Sequence, residues 1–426
     1  MTEPRNILLL AGTAPAPDGV GGIILHDLAG FLPEGSLSVI HVVDAGQMHD
    51  TTTVNGDPMR VLPVPFQRKP ISRWGRLGRA VDWVRMTLAN RRSLGKAVRA
   101  CVEYAKAQHV DEVWAVLDMP TAIALAKPVA EALGLPLRVT VWDDIEHNVR
   151  YFGLDRFTAA RNRKDFAGAI GHATSLAVIG ETMQDAYRQR YGKVGVIVRH
   201  GAEQPHVDRP TIDAINGIRI GFAGSVSARS AFDRMLQALD LLGWCIGGRE
   251  VTLTLMGPRF DLWSSVPRRI ECMGWRAVDD TIRILSECTV NYLPQPFEDD
   301  WRPFAELSFP SKLTTYLAAG APVLLHAPPH ASLPAFFARY PFGALCNALD
   351  ADMLATSLRD LCLDKELRHH AMQASKHALA AEFCVNRFRN GFAEFLAIDL
   401  PGAAIQAYPP DASSSDSTPC AASQAS

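Results

Sequence analysis

The sequence predicts an α/β protein of two Rossmann-like, doubly wound parallel-sheet domains facing a central cleft, with a disordered C-terminal tail. Three observations predict it. Short apolar runs of strand length alternate with helix-patterned segments along most of the chain, the pattern of a mostly parallel sheet covered on both faces. The alternation stops at 200–213, where Pro205 and Pro210 fall in a stretch without hydrophobic periodicity, and then starts afresh. The 426 residues, 48% of them hydrophobic, exceed one ordinary core and suit two of roughly 150 to 200 residues.

The first series opens with an apolar strand at 6–10, a Gly-, Pro- and Ala-rich loop at 12–22 and a helix at 23–31. Further strands are predicted at 38–43, 112–117, 137–141, 176–179 and 194–198, with helices at 119–133 and 181–190. The second series places strands at 218–223, 251–256, 269–273, 289–293, 323–325 and 343–345, and helices at 231–242, 279–288, 311–319 and 351–362. The expected units are an N-terminal domain over 1–205, a C-terminal domain over 206–385, and a closing helix over 386–400 able to return to the first domain. Over 401–426 the composition falls to Ala, Ser, Pro, Asp, Gln and Thr, too little apolar surface to offset the entropy of ordering.

Lysine and arginine total 43 against 45 acidic residues, so nothing in the overall charge suggests a nucleic-acid binder. The eight cysteines are scattered, never as CxxC, and mostly sit in apolar stretches; they read as buried thiols of a reducing compartment. The chain shows neither a basic N-terminal region leading into an apolar run nor any stretch of 18 apolar residues. A cytoplasmic protein that is neither secreted nor membrane-spanning is expected.

In doubly wound sheets, ligands sit at the carboxyl ends of strands, where helix N-termini favour phosphate. One such place runs from Gly221 through Phe222, Ala223, Gly224, Ser225 and Val226 to Ser227; a tight structural turn is its other reading. A second begins at Phe309 and Pro310, continues through Ser311, Lys312 and Leu313, and stops at Gly320-Ala321-Pro322. Pro310 fixes the approach to a helix, and Ser311 can cap it. An ammonium at a helix N-terminus opposes the dipole, a conflict that an anion at the turn would remove. The anion expected there is a diphosphate.

The string Pro310-Ser311-Lys312-Leu313, Tyr316-Leu317-Ala318-Ala319-Gly320 and Pro322-Val323 resembles the donor-site helix of GT-B glycosyltransferases related to the large retaining family four. Gly21-Gly22 resembles that family's first glycine-rich loop, and Phe222-Ala223-Gly224-Ser225 its donor-domain loop. Met256-Gly257, Met273-Gly274-Trp275 and Leu293-Pro294 resemble later strand ends. The likeness spans residues 6–395 and is dense only in 218–326. It implies a nucleotide sugar on the C-terminal domain, an acceptor on the N-terminal one, no metal, and closure of the cleft against water. On this reading Gly22, Gly224, Ser225, Pro310, Ser311, Lys312, Leu313 and Thr315 lie at the donor.

The sequence departs from that pattern. The family's acidic residue before the tyrosine is Thr315, and its basic pair falls near Ser225 and Ser230, leaving Arg229 the nearest cation. Glu306 or Glu298 could stand for the upstream acid. Arg302 and Arg229 could supply charge to a leaving diphosphate; two surface arginines are the other reading. In the N-terminal domain, 139–142 delivers Asp143 and Asp144 to a strand end, before Glu146 and His147. Asp144 is the acceptor-side candidate, to orient or deprotonate a hydroxyl, though aspartate there is also a routine helix cap. Asp118 carries the same ambiguity. His147 and His200 lack metal-pair spacing, so no metal is expected.

Arg68, Lys69, Arg73, Arg76, Arg79, Arg85, Arg91, Arg92, Lys96 and Arg99 stand against Asp82 alone, interleaved with Trp74, Leu77, Trp83, Val84, Met86 and Leu88. The segment 68–99 is a solvated helical face or a docking surface for anionic lipid headgroups. The functional expectation is transfer of a sugar from a nucleotide diphosphate sugar to a glycan or lipid-linked acceptor, in cell-surface polysaccharide or glycoconjugate synthesis. The alternatives are a catalytically impaired scaffold of the same architecture and a sugar-nucleotide epimerase.

Overall fold

The computed structural model describes residues 5–17, 19–44, 53–54, 57–64, 75–201, 207, 217–226, 228–258, 266 and 269–400. The N-terminal series contributes β1 (Ile7–Ala11), β2 (Leu37–Asp44), β3 (Thr53–Val54), β4 (Asp57–Val64), β5 (Glu112–Val116), β6 (Leu137–Thr140), β7 (Ser175–Val178) and β8 (Val196–Ile197). They form one sheet in the order β3-β4-β2-β1-β5-β6-β7-β8, parallel except where β3 meets β4. Around it lie α1 (Val20–Gly30), α2 (Gly75–Ala107), α3 (Pro120–Leu133), α4 (Ile145–Tyr151), α5 (Arg156–His172) and α6 (Glu181–Tyr191).

The second series contributes β9 (Ile218–Ala223), β10 (Cys245–Ile246), β11 (Arg249–Met256), β12 (Ile270–Gly274), β13 (Val290–Pro294), β14 (Val323–His326) and β15 (Gly343–Cys346). The order is β10-β11-β9-β13-β14-β15, with β12 also parallel to β11. Its helices are α7 (Arg229–Leu241), α8 (Val278–Ser286), α9 (Arg302–Leu307), α10 (Lys312–Ala319), α11 (Ser332–Arg339), α12 (Ala351–Leu363), α13 (Lys365–Glu382) and α14 (Val385–Leu396).

The period of two along β1 and β5 divides the first core. Leu8, Leu10, Val113 and Ala115 point to the face covered by α3 and α5. Ile7, Leu9, Trp114 and Val116 point to the other, where α1 supplies Leu25 and Leu28 and α14 supplies Phe388, Phe392 and Phe395. That face is closed by residues about 270 to 390 positions downstream, because α14 crosses back onto the first sheet. Arg138 Nη1 and Ser175 Oγ each donate to the Phe395 carbonyl at 2.7 Å. The crossing is tight: a Cβ on Gly201 would lie 2.6 Å from the Cys384 carbonyl oxygen, which only glycine avoids.

The predicted strands and named helices occur, with ends displaced by one to a few residues. Sequence reasoning missed β4, whose Pro58 and Pro63 argue against a strand. Among the described residues β3 pairs only with Asp57 and Pro58 on its outer side, so Pro63 lies at an edge, where its missing N–H costs no ladder bond. The predicted disordered tail, 401–426, lies outside the described residues.

A buried ion pair, Arg199 with Glu382, joins the halves near the crossing. Arg199, after β8, donates to Glu181 at 2.7 Å and to Glu382 at 3.3 Å. Glu382 also lies 3.2 Å from Arg339 and 3.0 Å from Arg387, and accepts from Tyr340 Oη at 3.0 Å. Burial opposes ionisation of Glu181, yet Arg199 and Arg339 hold its carboxyl down to about 2.

Candidate active site

The carboxyl end of β9 and the start of α10 form one unit. Gly224 has φ +106°, a conformation that favours glycine, and a Cβ there would sit 2.8 Å from Lys312 Cε, so the lysine's end lies directly over it. The preceding Ala223 N–H donates to Tyr316 Oη at 2.8 Å, and Gly224 N–H donates to the Met256 carbonyl at 2.8 Å. The loop is thus pinned from α10 on one side and β11 on the other.

Lys312 opens α10 and folds back over this loop. Its Nζ donates to the Ser225 carbonyl at 2.8 Å and lies 4.7 Å from the Phe222 ring centroid. Burial alone pulls its ammonium from 10.5 to about 8. An ammonium desolvated without a compensating carboxylate, at a helix N-terminus beside a turned loop of small residues, is suited to a phosphate oxygen.

Two expectations on this helix need correction. Ser311 does not cap it: its backbone is already helical (φ −58°, ψ −24°) and its side chain makes no capping bond. Leu313 is fully buried in the core with Tyr316 and Leu317, so its side chain cannot meet a ligand. Pro310 and Thr315 are half-buried, while Ser311 and Ser225 are exposed.

Asp144 is also corrected. It is 0% exposed: one oxygen accepts from Glu146 N–H at 3.1 Å as the cap of α4, and the other from Tyr187 Oη and Arg190 Nη1, both at 3.0 Å. Fully buried and bonded at both oxygens, it holds α4 and α6 together and presents no surface to an acceptor. Asp118 accepts from Gly12 N–H at 2.9 Å; burial raises its carboxyl above the ordinary range despite the bonds from Gly12 and Thr13. It braces the first glycine-rich loop. Gly22 lies inside α1, its carbonyl accepting from Ala16 N–H at 3.1 Å, and a Cβ would press on Ala16 at 3.3 Å.

The remaining candidates lie on nearby helices. Arg229, exposed at the start of α7, is 3.4 Å from Asp233. Glu306, on α9, accepts from Arg302 at 2.8 Å, while Glu298 keeps one buried oxygen without a hydrogen-bond partner. His147 packs its ring 4.6 Å from that of Phe304, and His200 lies 2.8 Å from Asp27. Among the described residues no group of three metal-ligating side chains converges.

The structure therefore brings Gly224, Ser225 and Lys312 together and keeps Asp144 apart. Sequence reasoning missed Phe222 and Tyr316 as supports of the lysine and its loop, and, though it named Asp143 beside Asp144, it missed that Asp143 accepts from Ser308 Oγ at 2.6 Å across the two halves. Nothing local signals a hydroxyl bonding to a strand 93 residues away.

Solved structures share this architecture. HepE of Anabaena, in complex with UDP and glucose, is 16% identical and superposes with a TM-score of 0.60 over 92% of this chain and 99% of its own. Sucrose-phosphate synthase of Thermosynechococcus elongatus is 14% identical, with a TM-score of 0.66 over 92% and 98%. WaaG, a glycosyltransferase involved in lipopolysaccharide biosynthesis, is 14% identical, with a TM-score of 0.55 over 91% and 99%. In sequence the chain matches no protein-family model and no curated protein. The fold is that of GT-B glycosyltransferases.

Proposed function

We propose that this GT-B chain is a glycosyltransferase that moves a sugar from a nucleotide diphosphate sugar to a glycan or lipid-linked acceptor. The observation that carries the reading is Lys312, a desolvated ammonium held over the Gly224 loop at the N-terminus of α10. As the bond from the sugar's anomeric carbon to the diphosphate oxygen breaks, charge grows on the leaving group; Lys312 and the first turn of α10 stabilise it. A protein cation in this place lets the reaction run without a bound metal. The neighbours crystallised with UDP and UDP-glucose make UDP-glucose the first donor to try.

In this reading the C-terminal domain, 206–385, holds the donor and the N-terminal domain, 1–205, the acceptor, with retention of configuration and a role in cell-surface polysaccharide or glycoconjugate synthesis. Thr315 offers a hydroxyl where a carboxylate would hold ribose, which leaves more of the donor affinity to Lys312. A second reading, a binding scaffold without turnover, draws on the burial of Asp144. Thermal unfolding with nucleotide sugars, followed by an assay for released nucleoside diphosphate, separates the two. A transferase shows a saturable rise in Tm, worth about 2.7 kcal/mol at a hundred times Kd, together with release. A rise without release on any acceptor supports the scaffold, and no rise with UDP-, GDP- or ADP-sugars at millimolar levels removes the donor reading.

We also propose that α2 docks on the anionic inner face of a membrane. Val81, Val84 and Leu88, on one face at i, i+3 and i+7, are 56%, 49% and 49% exposed, and Arg85, Arg91, Arg92 and Arg99 are exposed beside them. The rest of the predicted segment, 68–74 and the side chains of Arg76, Leu77, Arg79, Asp82, Trp83 and Met86, lies outside the described residues. Among the described residues no helix is long and apolar enough to cross a membrane. Flotation with vesicles should recover the protein when phosphatidylglycerol is present and lose it with phosphatidylcholine alone; equal recovery would remove the idea.

A further inference from the structure

The two residues ahead of Pro310 are held from both halves of the molecule: Phe309 packs on Phe336 and Phe383 of its own half, and both residues also meet the N-terminal series. Ser308 ends α9 in extended conformation and is 5% exposed. Its Oγ donates to Asp143 Oδ1, at the carboxyl end of β6, at 2.6 Å, while its carbonyl accepts from Ser332 Oγ at 2.6 Å. Next in the chain, the Phe309 ring centroid lies 4.1 Å from the Arg199 guanidinium carbon, and the ring edge is packed where a Cβ on Gly180 would be 3.5 Å away. Asp143, Gly180 and Arg199 all belong to the N-terminal series.

The helix just before this strap leans the same way. Arg150 of α4 lies 2.8 Å from Asp300 and 5.3 Å from the Trp301 ring centroid, and the His147 ring packs against that of Phe304 at 4.6 Å, tilted by 31°. Because Pro310 and Ser311 alone separate the strap from Lys312, the place of the α10 N-terminus is set in part from the first sheet.

We propose that Asp143 is a positioning residue: through Ser308 it lets the acceptor-side half hold the first turn of α10 where the donor diphosphate is bound. This rests on the donor reading of Lys312. Asp143 touches no donor atom. It acts by fixing the strap, so donor affinity and the arrangement of the two halves are linked, each biasing the other.

The test uses the full chain and compares wild type with Asp143→Ala, Ser308→Ala, the double variant and Asp143→Asn, whose amide oxygen still accepts from Ser308. The first measurement is hydrogen exchange of peptides covering 309–317, which needs no ligand. Each alanine variant should speed exchange there while peptides from β9 and β13 keep their protection; unchanged exchange in 309–317 overturns the proposal. The second is the Kd of UDP-glucose. Each alanine variant should weaken it about threefold to tenfold, the double variant no more than the stronger single, and Asp143→Asn least. Additive losses, or none while wild type binds, also overturn it. If wild type does not bind UDP-glucose, the donor reading falls with that nucleotide sugar, and the exchange measurement still decides the link. A merely structural role would lower Tm and protection throughout the C-terminal half, which the β9 and β13 peptides would show.

Discussion

Lys312→Ala should weaken UDP-glucose binding about tenfold to a hundredfold while leaving the apo protein's Tm unchanged or slightly raised. A hydrogen bond to a charged partner contributes about 1.5–3 kcal/mol, which is the stated range of Kd. Folding gains little from this side chain, whose hydrogen bond goes to the carbonyl of exposed Ser225 and whose ammonium is disfavoured by burial. The same residue makes binding depend on pH. In the free protein it titrates at about 8, and a bound diphosphate raises that value by stabilising the charged form. Affinity is therefore constant below about pH 8 and falls above it, by at most about tenfold per pH unit, until the bound form also titrates. The variant should lose this dependence. Titration calorimetry from pH 6.5 to 9.5 decides the matter: a flat wild-type Kd would mean that the ammonium does not meet the ligand.

Glu382→Ala should produce the largest loss of stability of any single change near the crossing, about 3–5 kcal/mol. Glu382 is 4% exposed and faces Arg199, Arg339 and Arg387 together with Tyr340 Oη. Its removal leaves Arg199, itself 7% exposed, with less compensation for a buried charge. Glu382→Gln keeps an acceptor for Tyr340 and should lose less. Thermal unfolding would show it, with a fall of at least about 6 °C expected for alanine; a change within 1–2 °C of wild type, on the order of experimental scatter, would mean that the cluster contributes no net stability. Glu181, in the same cluster, adds an acid limit. Its folded pKa of about 2 lies below the ordinary 4.5, so its contribution is present above about pH 4.5 and is lost as pH falls toward 2.

Most of the fold was legible because its signals are local. A mostly apolar run of five or six residues, bounded by glycine or proline, can be read without knowing its neighbours, and β9, six residues between Gly217 and Gly224, begins and ends where that rule puts it. Where two local rules conflict, as at Pro58 and Pro63 in β4, the pattern is silent about which strands lie alongside. Lys312 at the start of α10 was legible for the same reason: a cation at a helix start is a conflict visible within three residues. The surroundings of Asp144 were not. A strand ending in Asp143-Asp144 looks alike whether it offers a carboxylate to a ligand or caps a helix, and the groups that decide, Tyr187 and Arg190, lie 43 and 46 residues away.

By itself the sequence determined two parallel sheets, the order of their elements, and a positively charged helix start at Lys312, since each follows from periodicity and chemistry within a short window. Only the tertiary structure decided that Asp144 is shut in the core while Asp143 reaches Ser308, that Lys312 folds back over Gly224, and that α14 closes the first sheet. The reason is physical: burial, ion pairing and close approach are properties of groups brought together by the chain's return, and no window along the sequence contains both partners.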